Sequence, residues 1–313
     1  MSEKNNNNNE TAYLEKNGSH IGPGTDPRAD SHIDSPGGVV PGSVLRVIDT
    51  GACRGGYNMA VDEMLALKVQ QGKSPPVLRF FRWEPACLSL GCFQKVAREV
   101  DLDGLRSRGV DLVRRPSGGR AVLHDHEMTY SVILPDFGKG VIDSYRIISQ
   151  GLLAGLKILG LDASLQKPAP VEREHASAAC FDSPSSYELL CGGKKLIGSA
   201  QRRLDGVILQ HGSIPFTLDA EKLYDCLLVD ADETKRAAKR TRLAALFNKK
   251  ATSLFAEIGG QVSYDTVRQA FVQGFGRELA KDTIWSELTP EEDREAQNLA
   301  DSKYYAPWWQ EKF

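Results

Sequence analysis

Hydrophobic residues in the first two thirds of the chain occur in short runs that alternate with polar residues or are bounded by glycine and proline. Runs of this kind, rich in β-branched and aromatic residues, are typical of strands. They predict strands at residues 44–49, 76–83, 86–91, 110–115, 121–124 and 127–135, another at 187–191, and a hairpin across 194–216.

Three other segments repeat hydrophobic residues at the spacing of a helix face. The first follows Asn58, which we expect to be the N-cap residue, and the second ends at Gly160. The third predicts a helix face turned towards the core, because hydrophobic residues recur there every four residues: Val267, Phe271, Phe275 and Leu279. Because strands come in runs and helices in flanking groups, the pattern predicts an α+β fold with mixed or antiparallel sheets flanked by helices.

The pattern also divides the chain into two parts. Residues 1–42 combine an asparagine run with a mixture of Gly, Pro, Asp and Ser, which cannot bury enough apolar surface to offset the entropy of ordering. We therefore expect a disordered, low-complexity N-terminal segment at 1–42. A single folded domain should occupy 43–313, with a helical part from about 219 onward.

Composition and charge narrow the function classes. The formal net charge of -2 provides no general attraction to nucleic acid or to an anionic membrane. No apolar run approaches the roughly 20 residues of a membrane helix, and no signal peptide is visible after Met1. We expect a cytoplasmic protein without nucleic-acid or membrane partners. The six cysteines lack C-x-x-C spacing and predict no disulfide framework or zinc site, but one is a candidate nucleophile.

The sequence RRPSGGRAVLHD, at residues 114–125, concentrates candidate chemistry in one turn. Gly118 and Gly119 allow the backbone to approach a ligand closely, and the N–H groups of such a turn can point at one anion or carbonyl oxygen. A plain glycine hairpin turn is the alternative. Such a turn has no need of the flanking Arg115, Arg120 and His124, so a binding loop is the better interpretation.

This segment, followed by EMTYS, resembles the signature of the lipoate–protein ligase and octanoyltransferase family, which shares its catalytic domain with biotin–protein ligases. Four more blocks resemble the family in the family's order: NMAVDE at 58–63, LRFFRWEPACLSLGCFQ at 78–94, KLIGSAQ at 195–201 and ILQHGSIPF at 208–216. The resemblance implies a biotin/lipoate ligase-like catalytic domain over 43–313. It also implies an acyl- and substrate-binding set: Arg115, Ser117, Gly118, Gly119, Arg120, His124 and His211.

Two details are similar to the cysteine-dependent octanoyltransferase branch. GGR at 118–120, then TYS at 129–131, differs from the GGG-and-asparagine pattern more frequent in ATP-dependent ligases, and CFDSPSSYEL at 180–189 resembles the block with the acyl-thioester cysteine. The resemblance implies Cys180 as nucleophile and Lys195 as the lysine at the acyl carbonyl. We expect Lys195 to lower the pKa of Cys180 and to stabilise the oxyanion, with Lys194 facing the opposite side of its strand. Cys191 is the rival nucleophile.

The implied reaction moves an octanoyl group from octanoyl–acyl carrier protein, through a cysteine thioester, to a lysine of a carrier domain, the first step of endogenous lipoate biosynthesis. The implied acceptors are the glycine-cleavage H protein and the lipoyl domains of 2-oxoacid dehydrogenases. We expect no cofactor and no metal. Three alternatives stay open: an ATP-dependent lipoate–protein ligase, an amidotransferase acting between lipoyl domains, and a non-catalytic carrier-binding protein with the same fold.

Further hypotheses concern smaller groups of residues. Leu88, Leu90 and Val122 are expected to line part of an acyl tunnel, and His124 and His211 are candidate proton carriers. Cys92 replaces the aromatic residue usual in the family, which leaves the acyl specificity open. The basic stretch at 235–242 is either a solvated helix face or a dock for acidic carrier proteins.

Overall fold

The alternating runs form the strands that the sequence predicts. A computed structural model of the protein describes residues 44–166, 188–280 and 282–311. The strands are β1 (Val44–Cys53), β2 (Val77–Trp83), β3 (Cys87–Leu90), β4 (Asp111–Arg114), β5 (Val122–His124), β6 (Glu127–Pro135), β7 (Ala163–Leu165), β8 (Leu189–Cys191), β9 (Lys194–Leu204), β10 (Val207–Pro215) and β11 (Asp282–Trp285). Every strand expected between 44 and 135 is present, and so is the hairpin.

Helices separate and flank these strands. They are α1 (Gly55–Gln70), α2 (Val96–Glu99), α3 (Leu102–Arg108), α4 (Val141–Ile158), α5 (Ala220–Asp225), α6 (Glu233–Lys250), α7 (Leu254–Ile258), α8 (Tyr264–Leu279), α9 (Pro290–Leu299) and α10 (Pro307–Gln310), with a π-helical turn at Ala300–Tyr304. None of the helices in the described ranges has the length and hydrophobicity required to span a bilayer. The expected disordered segment at 1–42 lies outside the described residues.

The start of α1 differs from the sequence expectation. The helix begins at Gly55, so the assignment of Asn58 as its N-cap is wrong. The Asn58 amide instead donates to the backbone oxygens of Cys53 and Arg82, at 3.1 and 2.9 Å. Its Oδ1 accepts from Arg79 at 2.9 Å. Asn58 is fully buried and ties α1 to β1 and β2, which a capping role would not require.

Two sheets organise the fold. The larger has eight strands in the order β11-β1-β2-β6-β10-β9-β8-β7, and the smaller has three in the order β4-β3-β5. In the large sheet β1 is parallel to both β11 and β2, and the remaining pairs are antiparallel. In the small sheet β3 is parallel to β4 and antiparallel to β5. These mixed sheets with flanking helices confirm the expected α+β class.

The large sheet buries both faces, and strand alternation divides its side chains between them. Leu78, Phe80 and Tyr130 belong to the cluster under α4 and α8, whereas Val77 and Ile133 belong to the cluster under α1 and α9. The predicted helix stripe of α8 is confirmed as core-facing, because its four hydrophobic residues are all buried: Val267, Phe271, Phe275 and Leu279.

Helices α4 and α8 cross at very short range because glycines line the contact. A Cβ added at Gly151 would lie 2.2 Å from the Phe275 ring, and one at Gly155 would lie 2.5 Å from the Phe271 ring. From the other helix, a Cβ at Gly274 would meet the backbone of α4 itself. Any side chain at Gly274 therefore has to push the two helices apart.

We expect Gly274→Val to lower the free energy of unfolding by about 1–3 kcal/mol through overpacking. The added Cβ would lie 2.4 Å from the Gly151 oxygen and 2.5 Å from the Gly155 nitrogen, and backbone atoms cannot move aside as a side chain can. Urea denaturation measures the change. Gly260→Val is the matched control, since open space surrounds that glycine. Equal unfolding midpoints for the two variants would contradict a backbone-tight crossing.

Candidate active site

A cavity of about 450 Å³ has walls from both sheets and from α1 and α4. This volume lies in the usual range of small-molecule sites. Most of its wall area is apolar. The apolar wall residues include Met59, Trp83, Val122, Val141 and Tyr145.

The structure brings most of the predicted binding residues together at this cavity. Its walls contain Arg115, Gly118, Gly119, Arg120, His124 and His211. Ser117 is buried behind the wall and bonds to His211. Lys195 lies on β9, the strand that also contributes Gly198–Gln201 to the cavity wall. Cys180, the predicted nucleophile, lies outside the described residues.

The glycine turn is held closed by the side chain of Arg115. Its guanidinium donates to the backbone oxygens of Gly118 and Arg120, at 2.8 and 2.7 Å for Nη2. Gly119 has a φ of +92°, which favours glycine, and its oxygen would lie 2.1 Å from a Cβ added at Gly91. Arg115 therefore shapes the turn from within, in addition to facing the cavity.

One wall of the cavity contains a chain of hydrogen bonds from Ser117 to a buried ion pair. Ser117 Oγ lies 2.5 Å from His211 Nε2, and His211 Nδ1 lies 3.2 Å from Asp62 Oδ2. Asp62 is in turn ion-paired with Arg79 at 2.7 Å, and both side chains have no exposure. Because a carboxylate only accepts, Nδ1 of His211 donates to Asp62 and Nε2 accepts from the serine.

A second chain of the same type lies at the same cavity. Ser89 Oγ is 2.7 Å from His124 Nε2, and His124 Nδ1 is 2.7 Å from Glu127 Oε1. The Glu127 carboxylate also accepts from the hydroxyls of Thr129 and Ser213. The ring of Trp83 stacks on that of His124, with 4.0 Å between centroids and 13° between planes. The hydrogen bonds at both ring nitrogens and the stacked Trp83 ring therefore fix the orientation of the His124 imidazole.

Strand register explains why these polar groups meet. Arg79, Ser131 and His211 are direct cross-strand neighbours on β2, β6 and β10, and all three point to the face covered by α1. Asp62 reaches them from α1. Sequence reasoning missed five residues that form or contact the two chains: Asp62, Arg79, Ser89, Trp83 and Glu127. All five fall within blocks that resemble the family, and that resemblance was the one available signal.

Lys195 and Lys194 differ in environment as strand alternation requires. Lys195 is buried and its Nζ forms an ion pair with Glu188, whereas Lys194 is exposed. This arrangement agrees with the expectation that the two neighbours face opposite sides.

Burial makes most of the described cysteine thiols unreactive. Burial raises the pKa of Cys191 to about 11 and the pKa of Cys226 to about 11. Burial also raises the pKa values of Cys53 and Cys87 above their ordinary range. Since the thiolate is the nucleophile, these four thiols are poor candidates at neutral pH, and this includes the rival Cys191.

Two expectations about neighbouring residues are wrong or incomplete. Leu88 and Leu90 do not line the cavity; they are fully buried in a cluster on the other face of β3, because Ser89 between them points to the cavity. Val122 does line it.

In the basic stretch of α6, four residues are ion-paired with aspartates of the same chain: Lys235, Arg236, Lys239 and Arg240. The stretch thus joins α6 to its neighbours and is not simply a solvated face.

Metal binding has no support in the described parts of the chain, where no three His, Cys, Asp or Glu side chains cluster so as to hold an ion.

Comparison with known proteins gives consistent matches. The model of the lipoyl protein ligase A/B catalytic domain matches residues 54–276. The octanoyltransferase LipM of Kyrpidia tusciae is 44% identical over 272 residues, which are 84% of this chain and 97% of that protein. LipM of Geobacillus kaustophilus is 43% identical over 275 residues, 85% of this chain and 97% of that protein.

Solved structures of lipoate ligases have the same fold. A bipartite lipoate protein ligase from Thermoplasma acidophilum, described in a structural analysis with its E2 lipoyl domain, is 27% identical with a TM-score of 0.70. The match covers 86% of this chain and 96% of that chain. Lipoate-protein ligase A bound with ATP is 26% identical with a TM-score of 0.68, over 86% of this chain and 98% of that chain.

We expect stability to fall as the pH drops below about 6.5, in part through His211. Burial lowers the pKa of His211 below its ordinary value of 6.5, although Asp62 opposes this. At pH values between the lowered pKa of His211 in the folded chain and its ordinary pKa in the unfolded chain, only the unfolded chain binds a proton there. Unfolding is therefore favoured as the pH falls. Urea midpoints from about pH 7 to about pH 5 measure the slope. His211→Asn should flatten it, while His126→Gln, at an exposed histidine, should leave it unchanged. An unaltered slope in His211→Asn would contradict the assignment.

Proposed function

The chain belongs to the lipoyl protein ligase A/B catalytic domain family, and from this membership we propose that it transfers an octanoyl group from octanoyl–acyl carrier protein, through a thioester on Cys180, to a lysine of a carrier domain. Acyl transfer as the class of reaction follows from the relatives at 43–44% identity, which are octanoyltransferases matched over nearly their full length. We further propose that residues 43–313 form the catalytic domain and that the acceptor is the H protein or a lipoyl domain. The archaeal ligase studied with its E2 lipoyl domain supports this kind of acceptor.

The apolar cavity beside the glycine turn is the observation that carries the proposal. A medium-length acyl chain fits such a wall, because burial of about six methylenes at roughly 0.8 kcal/mol each provides about 5 kcal/mol of binding. The polar groups of the wall suit the carbonyl end of the chain. The backbone turn at Gly118 and Gly119 lies on that wall with Arg115 and Arg120.

The environments of the cysteines support Cys180 as the nucleophile by weakening its competitors. Four of the five described cysteines have thiol pKa values raised by burial. The fifth, Cys92, is partly exposed and follows the Gly91 backbone that packs on the glycine turn. Substitution of Cys180, Cys191 and Cys92 in turn therefore separates the candidates.

We assign Lys195 as the ammonium of the reaction; it lies on β9, three residues before Gly198 of the cavity wall. It is buried at 3% side-chain exposure and keeps its charge balanced by Glu188. A pre-positioned ammonium in a dry environment can stabilise a developing oxyanion without reorganising at the moment of reaction. In this proposal Lys195 polarises the acyl carbonyl, and Glu188 holds its Nζ in place.

We expect the protein to form an octanoyl adduct when mixed with octanoyl–acyl carrier protein in the absence of ATP. Intact-mass measurement should show the adduct, and hydroxylamine should remove it, because a thioester is labile to that nucleophile. Cys180→Ala should abolish the adduct, whereas the matched variants Cys191→Ala and Cys92→Ala should retain it. Absence of an adduct, together with labelling of an apo lipoyl domain only when ATP and lipoate are added, would identify an ATP-dependent ligase instead.

Lys195→Met should slow adduct formation by about 10²–10³-fold, the effect of losing one oxyanion donor. The neighbouring Lys194→Met is the matched control, since that lysine is exposed and should leave the rate unchanged. Pre-steady-state adduct formation gives both rates. Lys195→Met also removes the Lys195 ion pair from the buried Glu188, so the double variant Lys195→Met/Glu188→Gln tests whether stability alone causes the loss. Equal rates in Lys194→Met and Lys195→Met would exclude the proposed role.

A further inference from the structure

Amide formation on a lysine requires a base, because the amine arrives as an ammonium with an ordinary pKa near 10.4. Two imidazoles face the cavity, His124 and His211, each between a serine and a carboxylate. We propose that His124 accepts, by way of the Ser89 hydroxyl, the proton that the lysine ammonium loses before it attacks, and that Glu127 balances the resulting charge. This inference rests on the proposed function only in that an amide is formed on a carrier lysine.

The charge around each imidazole distinguishes the two. Asp62 already forms an ion pair with Arg79, so a proton on His211 would leave a buried group with a net positive charge. Glu127 has no Lys or Arg partner among the described residues, and its hydrogen-bond donors besides His124 are the hydroxyls of Thr129 and Ser213. A proton on His124 therefore completes a neutral imidazolium–carboxylate pair, which is far less costly to bury.

Other titratable groups near His124 come from several elements. Cys87 is its cross-strand neighbour on β3, Arg115 bonds to the same serine, and His211 lies across the cavity wall on β10. Asp125 beside it faces solvent and pairs with Lys222 at 2.8 Å. The Arg115 charge disfavours a second cation nearby, and Glu127, at 2.7 Å from His124 Nδ1, is the group that offsets it.

The Ser89 hydroxyl provides the route for the proton. It lines the cavity, lies 2.7 Å from His124 Nε2, and accepts from Arg115 Nη1 at 3.0 Å. Since Glu127 only accepts, Nδ1 of His124 carries a proton, and Nε2 accepts from Ser89. The second lone pair of the serine oxygen is left for the amine.

The atoms of the step balance as follows. The lysine ammonium gives one proton to Ser89 Oγ while the serine proton passes to His124 Nε2. The amine so formed bonds to the acyl carbonyl carbon, and the bond from that carbon to the sulfur of the thioester breaks, with the electron pair leaving on the sulfur. The second proton lost by the nitrogen passes to the departing thiolate, and the imidazolium returns its proton to solvent. No oxidant, reductant or cofactor enters this sequence.

The test is the pH dependence of kcat/KM for the carrier lysine, from about pH 5 to about pH 9. In the wild-type protein the rate should rise with pH through an acidic limb, because a base that already holds a proton cannot accept another. His124→Asn keeps a donor towards Glu127 but has no titrating nitrogen. It should lose that limb and fall about 10²-fold or more at its plateau. His211→Asn is the matched control and should keep the limb.

Two further measurements separate a proton acceptor from a structural residue. Hydroxylamine is neutral at pH 7, so its enzyme-catalysed acylation should be much less affected by His124→Asn than acylation of lysine. A residue that only supports the fold would slow both nucleophiles equally. Glu127→Gln removes the balancing charge and should move the acidic limb to lower pH, a shift that is measurable even if His124→Asn does not fold.

An unchanged limb in His124→Asn, or equal losses with lysine and hydroxylamine, would overturn the inference. Failure of the thioester proposal is distinguishable, because it appears as a missing mass adduct. In that event the same profile is recorded with lipoate and ATP as the acyl source, since the carrier lysine has to lose the same proton.

Discussion

Asp62 and Arg79 are 2.7 Å apart, and neither side chain has any exposure to solvent. Such a pair is expensive to desolvate and persists only when the remaining polar atoms are satisfied. Here Ser131 and His211 donate hydrogen bonds to the Asp62 carboxylate, and Asn58 accepts one from the Arg79 guanidinium. The pair fixes α1 over the sheet and orients His211. Through Ser117, that orientation reaches the glycine turn at the cavity, so the wall of the site depends on this one contact.

Two chains of the same connectivity can have different chemical capacity. Both run from serine to imidazole to carboxylate, and hydrogen-bond geometry alone does not separate them. The guanidinium of Arg79 distinguishes the two chains, because it neutralises the Asp62 carboxylate. The negative charge of Glu127 is left to pair with His124. One chain is thereby a fixed brace, and the other has a charge with which to stabilise a transient cation.

Strands were predictable from the sequence because a buried two-residue period is a local property of the chain. The glycine turn and its flanking residues were predictable because they too are local: all of them lie within residues 114–125. The direction of each side chain in a strand buried on both faces was not predictable. Strand β3 has the sequence Cys-Leu-Ser-Leu with all four residues buried, and nothing local shows which face meets the cavity. The error over Leu88 and Leu90 follows from this. Asp62 was missed because its partners lie on β2, β6 and β10, and only tertiary register joins them. Glu127 is three residues from His124, but nothing local shows that its carboxylate is buried against that imidazole.

The last strand and helices cover the outer edge of β1. The family match ends at residue 276, yet β11 pairs in parallel with β1 over Val44–Val47, and Glu292 binds Arg46 at 2.6 Å. Without that strand, the outer hydrogen-bonding groups of β1 would be bare. A bare hydrophobic strand edge is a template for pairing with another chain. The segment after the matched domain therefore replaces the long edge of β1 by a four-residue edge, and self-association is the expected consequence of removing it.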